Sequence, residues 1–211
     1  MAALLDKPAV APRFGFASVA KRHWLGLALL LAPLLLTGCN DAPNTPIVRV
    51  ESATAEPHAV GDFTLVERSG EPFEASSLKG KVWVASFFFA NCPGICLKLN
   101  QSVAELQNQL DPEVHFVSIT VDPDHDTPEA LREYAQRVGA TDRWLFLTGS
   151  MRDIKDIAND SFQVAAGPAS HSERLMVVDR QGRVRGSYLV SDSAQVTLLK
   201  RKVAELLKEP S

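Results

Sequence analysis

An excess of charge of either sign is missing from this chain. Its 22 Lys and Arg face 25 Asp and Glu, a formal net charge of -3, and no basic stripe interrupts that balance. Nucleic acid is thereby excluded as a partner, since it requires a concentrated positive surface. Long apolar runs are also missing. The one conspicuous run, Trp24 to Leu36, has 13 residues, short of the roughly 20 that a membrane-spanning helix needs. No internal repeat and no long low-complexity segment is present, which excludes solenoid and array architectures. Cysteine is scarce. There are three residues, an odd number, in a chain of 211, so they cannot all pair with one another. What remains, 45% hydrophobic, has the composition of an ordinary globular domain, and the length suits one domain plus an extension.

The extension is N-terminal. Lys21 and Arg22 precede the apolar run, the layout of a signal segment. The run closes on Leu36-Thr37-Gly38-Cys39, which resembles the lipobox of bacterial lipoproteins. That resemblance implies cleavage before Cys39 and a lipid on its thiol; the alternative is an uncleaved anchor with an incidental cysteine. Either reading places the body of the protein outside the cytoplasm, membrane-anchored on the periplasmic side of a bacterial cell envelope. Residues 1–38 are then a lipoprotein signal peptide. Residues 39–58, with Pro43, Pro46 and Pro57, form a tether, and 59–208 the folded domain.

The domain is organised around Phe87-Phe88-Phe89-Ala90-Asn91-Cys92-Pro93-Gly94-Ile95-Cys96. Lys81 to Phe89 is apolar and rich in β-branched and aromatic residues, which predicts a buried central strand. Leu99, Val103, Leu106 and Leu110 then recur at helical spacing. The two cysteines stand where a core strand ends and a helix begins, the place where α/β sheets put their chemistry. Four residues apart, they would share one face of a helical first turn. A helix N-terminus favours thiolate. Two adjacent thiolates can oxidise to a disulfide or hold a soft metal such as Cu(I); two inert buried cysteines are the bland alternative.

The rest alternates. Asp62 to Val66 and Pro72 to Leu78, around Ser69-Gly70-Glu71, predict an N-terminal hairpin. Val114 to Val121 is a second core strand. A helix through Leu131, Tyr134 and Val138 follows it, with Thr127 as cap, Pro128 at the first position and Glu129 in the first turn. Trp144 to Leu147 predicts a strand and Ser150 to Asn159 a helix. Arg174 to Asp179 and Val184 to Val190 predict a hairpin, and Val196, Leu199, Val203, Leu206 and Leu207 a closing helix. This order fits an α/β, thioredoxin-like fold, a central mixed sheet flanked by helices with an N-terminal β-hairpin extension.

Two further features carry chemistry. Asp122, Asp124, Asp126 and Glu133 fall at positions 1, 3, 5 and 12 of a calcium-loop pattern. Thr127 replaces the required glycine, however, and a strand enters the loop, so calcium is not expected. The alternatives are a solvated capping turn or a role for Asp122 and Asp126 beside the cysteines. Of five histidines, His23, His58, His115 and His125 read as ordinary residues. His171 precedes the C-terminal hairpin, where a thioredoxin-like fold would bring it against the cysteine helix; a neutral imidazole there completes a two-sulfur, one-nitrogen copper site.

Four pieces in order are similar to the Sco/SenC family of copper-binding, thioredoxin-like assembly factors for cytochrome c oxidase. They are F-x-x-C-P-x-x-C at Phe89 to Cys96, V-D-P-x-x-D-T-P at Val121 to Pro128, W-x-F-L-T-G at Trp144 to Gly149, and H-S with D-x-x-G at His171, Ser172, Asp179 and Gly182. The resemblance, over roughly Phe63 to Leu207, implies Cys92, Cys96 and His171 as ligands of one copper ion, Cu(I) with Cu(II) as an alternative state. It implies a metallochaperone that delivers copper to, or reduces the cysteines of, an oxidase copper site. Implied partners are a copper-receiving membrane oxidase subunit, other copper chaperones and thiol reductants. The chain departs from the family pattern at Leu97, where proline is frequent, at Ala90, where threonine is, and across Gly167 to Ser170. The competing reading is a copper-independent thiol–disulfide oxidoreductase or redox sensor, for which Cys92 and Cys96 are the redox pair.

Overall fold

The computed structural model describes residues 58–92, 94–167 and 172–210. Seven strands form one mixed sheet. β1 (Thr64–Glu67) and β2 (Pro72–Glu74) make the N-terminal hairpin, and a 3-10 turn, Ala75–Leu78, leads toward β3 (Trp83–Phe88). α1 (Ile95–Gln109), β4 (His115–Thr120), α2 (Pro128–Arg137) and β5 (Trp144–Thr148) follow. α3 (Met151–Asp156) continues into a π-helical turn, Ile157–Ser161. β6 (Arg174–Val178), β7 (Val184–Leu189) and α4 (Ser193–Leu206) complete the domain. The strand order is β2-β1-β5-β4-β3-β6-β7.

Every residue of β3 is buried, as its continuous apolar run requires of a strand covered on both faces. It pairs parallel with β4 on one side and antiparallel with β6 on the other. Val84 and Phe88 join Leu99, Val103 and Leu106 of α1, Leu131 and Tyr134 of α2, and Leu199, Val203 and Leu206 of α4 in one core. Trp83, Ala85 and Phe87 face the second core, with Leu78, Ile154, Ile157 and Phe162. The period-2 alternation of one strand thus serves both layers. Between β3 and β4, the Ser86 and Ser118 hydroxyls share a 2.8 Å hydrogen bond, and Trp144 Nε1–H donates to Ser118 at 2.9 Å.

The cap read from the sequence is present: the Thr127 hydroxyl accepts Ala130 N–H at 3.4 Å ahead of Pro128. Asp192, not singled out in the sequence, caps α4 by accepting Ala194 N–H at 2.8 Å. The helix expected from Ser150 to Asn159 runs regularly only to Asp156 and then widens. Past this turn Gln163 takes a left-handed backbone, φ 54°.

The hairpin from β6 to β7 is held by Asp179. Its carboxylate accepts Gln181 N–H at 3.0 Å and Arg183 N–H at 2.9 Å, and receives the Arg183 and Arg185 guanidinium groups at 2.9 and 3.0 Å. Gly182 supplies the positive φ, 74°, that this turn needs. The D-x-x-G pair is therefore a turn device. Both ends of the outer edge of β7 are occupied. His58 O accepts Val184 N–H at 2.9 Å and Val60 N–H reaches Gly182 O at 2.8 Å, while the Gln195 side chain accepts Leu189 N–H at 2.9 Å. An edge occupied in this way resists pairing with another chain. His58 Nε2–H also donates to Ser161 O at 2.9 Å, which fastens the last residue of the expected tether to the domain.

Candidate metal and thiol site

The chain leaves β3 at Phe88 and turns through Phe89-Ala90-Asn91 to Cys92. α1 begins only at Ile95, because Gly94 has φ -143° and ψ -90°, outside helical space. Cys92 therefore stands before the helix, not within its first turn as the spacing suggested. The sulfurs still meet. Cys96 N–H points to Cys92 Sγ at 3.4 Å, so the sulfur does what a capping side chain would do, and Gly94 offers no side-chain cap. Cys92 is 9% exposed and Cys96 1%. No disulfide joins them, and both are thiols.

Their electrostatics differ. Burial pushes the Cys92 thiol up, but the backbone groups of Gly94, Cys96 and Ile95 and the Cys96 thiol outweigh it and leave Cys92 below the ordinary thiol value. Burial, reinforced by the Cys92 sulfur, pushes Cys96 up to about 12. Of the two sulfurs, Cys92 is the more readily ionised.

The acidic turn is attached to this loop. β4 lies beside β3 with Thr120 opposite Phe88, and Val121 N–H bonds Phe88 O at 2.8 Å. Asp126, 1% exposed, accepts Ala90 N–H at 3.0 Å and the Thr120 hydroxyl at 2.5 Å. Burial holds its carboxyl above the ordinary carboxylate range, against those two hydrogen bonds. Asp122 is half-buried and takes the His125 Nδ1–H at 2.9 Å; that hydrogen bond raises the exposed imidazole's pKa. Of the two acids proposed to act beside the cysteines, Asp126 touches their loop directly and Asp122 shapes the turn, accepting Asp126 N–H at 2.9 Å through its backbone oxygen.

The sequence reading did not single out Asn100 or Tyr134. Asn100, one turn beyond Cys96 and fully buried, donates to the Tyr134 hydroxyl at 2.7 Å, and its Oδ1 has no partner. A polar residue between Leu99 and Val103 on an apolar helical face was the available signal.

Cys39 and His171 lie outside the described residues. Among the described residues no three ligating side chains gather into a metal cluster, and none of their helices is long and apolar enough to cross a membrane. The described donor set is two soft sulfurs, which suits Cu(I) and leaves any third ligand to come from elsewhere.

A mixed sheet flanked by helices, with a dithiol where the central strand meets α1, defines a thioredoxin-like protein of the C-x-x-x-C type. A family model described as SCO1/SenC matches residues 51–208, and the chain belongs to that family. Among solved structures it is similar to a SCO1/SenC family lipoprotein from Bacillus anthracis, with 33% identity, a TM-score of 0.66, and 74% of this chain and 100% of that one covered. It is similar to BsSco, described as a member of the Sco family of cytochrome c oxidase assembly proteins and as carrying a disulfide switch. There the identity is 29%, the TM-score 0.67, and the coverage 74% and 96%. It is also similar to yeast Sco1 with copper bound, at 25% identity and a TM-score of 0.59, covering 74% and 91%.

Proposed function

We propose that this protein is a copper-handling assembly factor for cytochrome c oxidase. It holds one copper ion through the thiolates of Cys92 and Cys96 and the imidazole of His171. Copper is cargo here: it arrives from another chaperone and leaves by ligand exchange to a membrane oxidase subunit. The observation that carries this reading is the reduced Cys92–Cys96 pair, one sulfur seated on a helix N-terminus and the other buried behind it. Membership of a family with copper-bound and oxidase-assembly members supports it. Cu(I) accepts few, soft ligands, and a shell of two sulfurs and one nitrogen leaves room for an incoming donor.

The domain is proposed to hang from the periplasmic face of a membrane by a lipid on Cys39, with residues 39–58 as tether; the lipoprotein relative supports this. A second reading, in which the same dithiol reduces the oxidase cysteines, is favoured by the unequal thiols and by the disulfide switch ascribed to BsSco.

The test is anaerobic copper titration of the reduced protein, with stoichiometry and spectra. The expected result is one ion per chain, sharply weakened by Cys92→Ser, Cys96→Ser and His171→Ala, with the His171→Ala dithiol still redox-active. Unchanged affinity in His171→Ala would defeat the three-ligand model. No copper uptake by the wild type would leave only the thiol–disulfide reading.

A further inference from the structure

The buried face of α1 carries two side-chain amides besides Cys96. Gln107 uses both ends of its amide. Its Nε2–H donates to Gly139 O at 2.7 Å, and its Oε1 accepts Thr141 N–H at 3.1 Å and the Thr141 hydroxyl at 3.0 Å. Asn100 uses one end. Its Nδ2–H donates to the Tyr134 hydroxyl at 2.7 Å, and its Oδ1 is buried without a partner. An unmet buried acceptor destabilises a fold, so its place beside the thiols calls for an explanation. Asn100 stands four residues after Cys96 within the regular helix, which puts their Cβ atoms about 5–6 Å apart. Helical side chains lean toward the N-terminus, here toward Cys96. The Tyr134 ring is packed on Phe88 and Phe146, with centroids 5.4 and 6.0 Å apart. The amide is thus pinned at its nitrogen and free at its oxygen, one turn behind a buried thiol.

In the dithiol, the Cys96 thiol is hydrogen-bonded to the Cys92 sulfur. Once Cys92 is joined to a partner's sulfur it is no longer a thiolate acceptor, and the Cys96 S–H must turn elsewhere. We infer that Asn100 is a positioning residue for the exchange: its Oδ1 accepts the Cys96 S–H whenever Cys92 is engaged, and so holds the second sulfur back from the first. This rests on the reading of Cys92 and Cys96 as the exchanging pair. Glutathione disulfide gives a balanced assay. The Cys92 thiolate attacks one of its sulfurs and expels one glutathione thiolate. Cys96 then gives its proton to a buffer base and attacks the Cys92 sulfur, expelling the second glutathione thiolate. The protein becomes the disulfide, and glutathione disulfide becomes two thiols. Asn100 slows the second step alone, because its bond to the S–H must break before that sulfur can turn. A thiol is a weak donor, so the effect is about two- to fivefold in rate.

The experiment uses the reduced full-length protein in detergent and has two readouts. The first is infrared spectroscopy of Cys92→Ala, in which Cys96 has lost the neighbouring sulfur. Its S–H stretching band, assigned by its loss in Cys92→Ala/Cys96→Ser, is expected at lower frequency than in Cys92→Ala/Asn100→Leu. Coincident bands overturn the inference. The second is the lifetime of the Cys92–glutathione mixed disulfide, followed by mass spectrometry after mixing with glutathione disulfide. It should be about two- to fivefold shorter in Asn100→Leu than in the wild type, with the rate of its formation unchanged. Asn100→Leu/Tyr134→Phe replaces both partners by apolar groups and should unfold in urea no earlier than the wild type. The same shortened lifetime in that variant cannot come from a loosened fold. Equal lifetimes, or formation accelerated as much as resolution, overturn the inference. Failure of the wild type to form the mixed disulfide overturns the redox reading of the pair instead, and the infrared bands then decide on Asn100.

Discussion

The Asp126 carboxylate takes the backbone N–H of Ala90 at 3.0 Å, so the acidic turn after β4 holds the loop that delivers Cys92. The same oxygen takes the Thr120 hydroxyl, and the whole group is buried. Asp126→Ala leaves a buried N–H and a buried hydroxyl without their acceptor. The expected loss is about 2–3 kcal/mol, measured by urea unfolding; Asp126→Asn, which keeps one acceptor oxygen, should lose less. Burial raises this carboxyl's pKa in the folded state. Its stabilising contribution is therefore complete below the unfolded carboxylate value, about 3.9, and is lost as pH rises through the higher folded value. Stability of Asp126→Asn should lack that decline, and an identical pH curve for both proteins would refute the assignment.

The two thiols should be distinguishable by chemistry. Cys92 lies below the ordinary thiol value and Cys96 at about 12. Iodoacetamide at pH 7.5 is expected to label Cys92 at least about tenfold faster than Cys96, since only the thiolate reacts. Mass spectrometry of the labelled peptides reads this directly, and equal labelling would remove the asymmetry. On the alkaline side, the Cys96 proton supports the fold below the unfolded thiol value, and that support is lost as pH rises toward about 12. Cys96→Ser should remove this part of the alkaline destabilisation.

Much of this was visible in the chain. The run Trp83 to Phe88 shows itself as a strand buried on both faces because no polar face alternates with it. Thr127-Pro128-Glu129 marks a helix start because each residue type answers a separate need of the first turn. Faces are legible, but neighbours are not. The N-terminal hairpin precedes β3 in sequence, yet β1 pairs with β5, since alternation records which side a residue faces and nothing about which strand lies beside it. Asp126 was named together with Asp122 as an acid that could act beside the cysteines, but what separates the two was hidden for a similar reason. In Asp122-Pro123-Asp124-His125-Asp126 every charged residue looks solvated, and only the Thr120 hydroxyl at the end of β4 and the Ala90 amide, 36 residues away, make one of them internal. The spacing of Cys92 and Cys96 fits a helical turn, but the helix starts after the first of them because Gly94 leaves helical space. His171 was named by its neighbours in sequence, and its placement lies outside the described residues.

Asp179 offers a test on the acid side. Burial works against its charge, but Arg183 N–H and the Arg185 and Arg183 guanidinium groups outweigh it and hold the carboxyl below the usual range. Its contribution is therefore present above the unfolded carboxylate value and lost as pH falls through the lower folded one. Asp179→Asn strips two guanidinium groups of their carboxylate and should cost about 3 kcal/mol at pH 7. The gap between Asp179→Asn and wild type should narrow at pH 3 and below. A gap that stays constant from pH 7 to pH 2 would show that the loss is not ionic.

Gly186 tests packing rather than charge. It stands in β7 two residues before Tyr188, and both point to the same face of the sheet. A Cβ added there would lie 2.5 Å from the Tyr188 hydroxyl oxygen and 2.8 and 2.9 Å from two ring carbons. The ring is buried against the core formed with α4, so it cannot swing away without opening that core. Gly186→Ala should destabilise by about 1–3 kcal/mol through overpacking. Gly61→Ala is the control: its Cβ would find only the Ser161 hydroxyl, at 3.6 Å, and the cost should stay within about 0.5 kcal/mol. Tyr188→Leu costs stability by itself through the lost ring. If the ring is what excludes a side chain at 186, the double variant should be more stable than the sum of the two losses allows, by more than about 1 kcal/mol. Strict additivity in that cycle would mean that glycine is required at 186 for a reason other than the tyrosine ring.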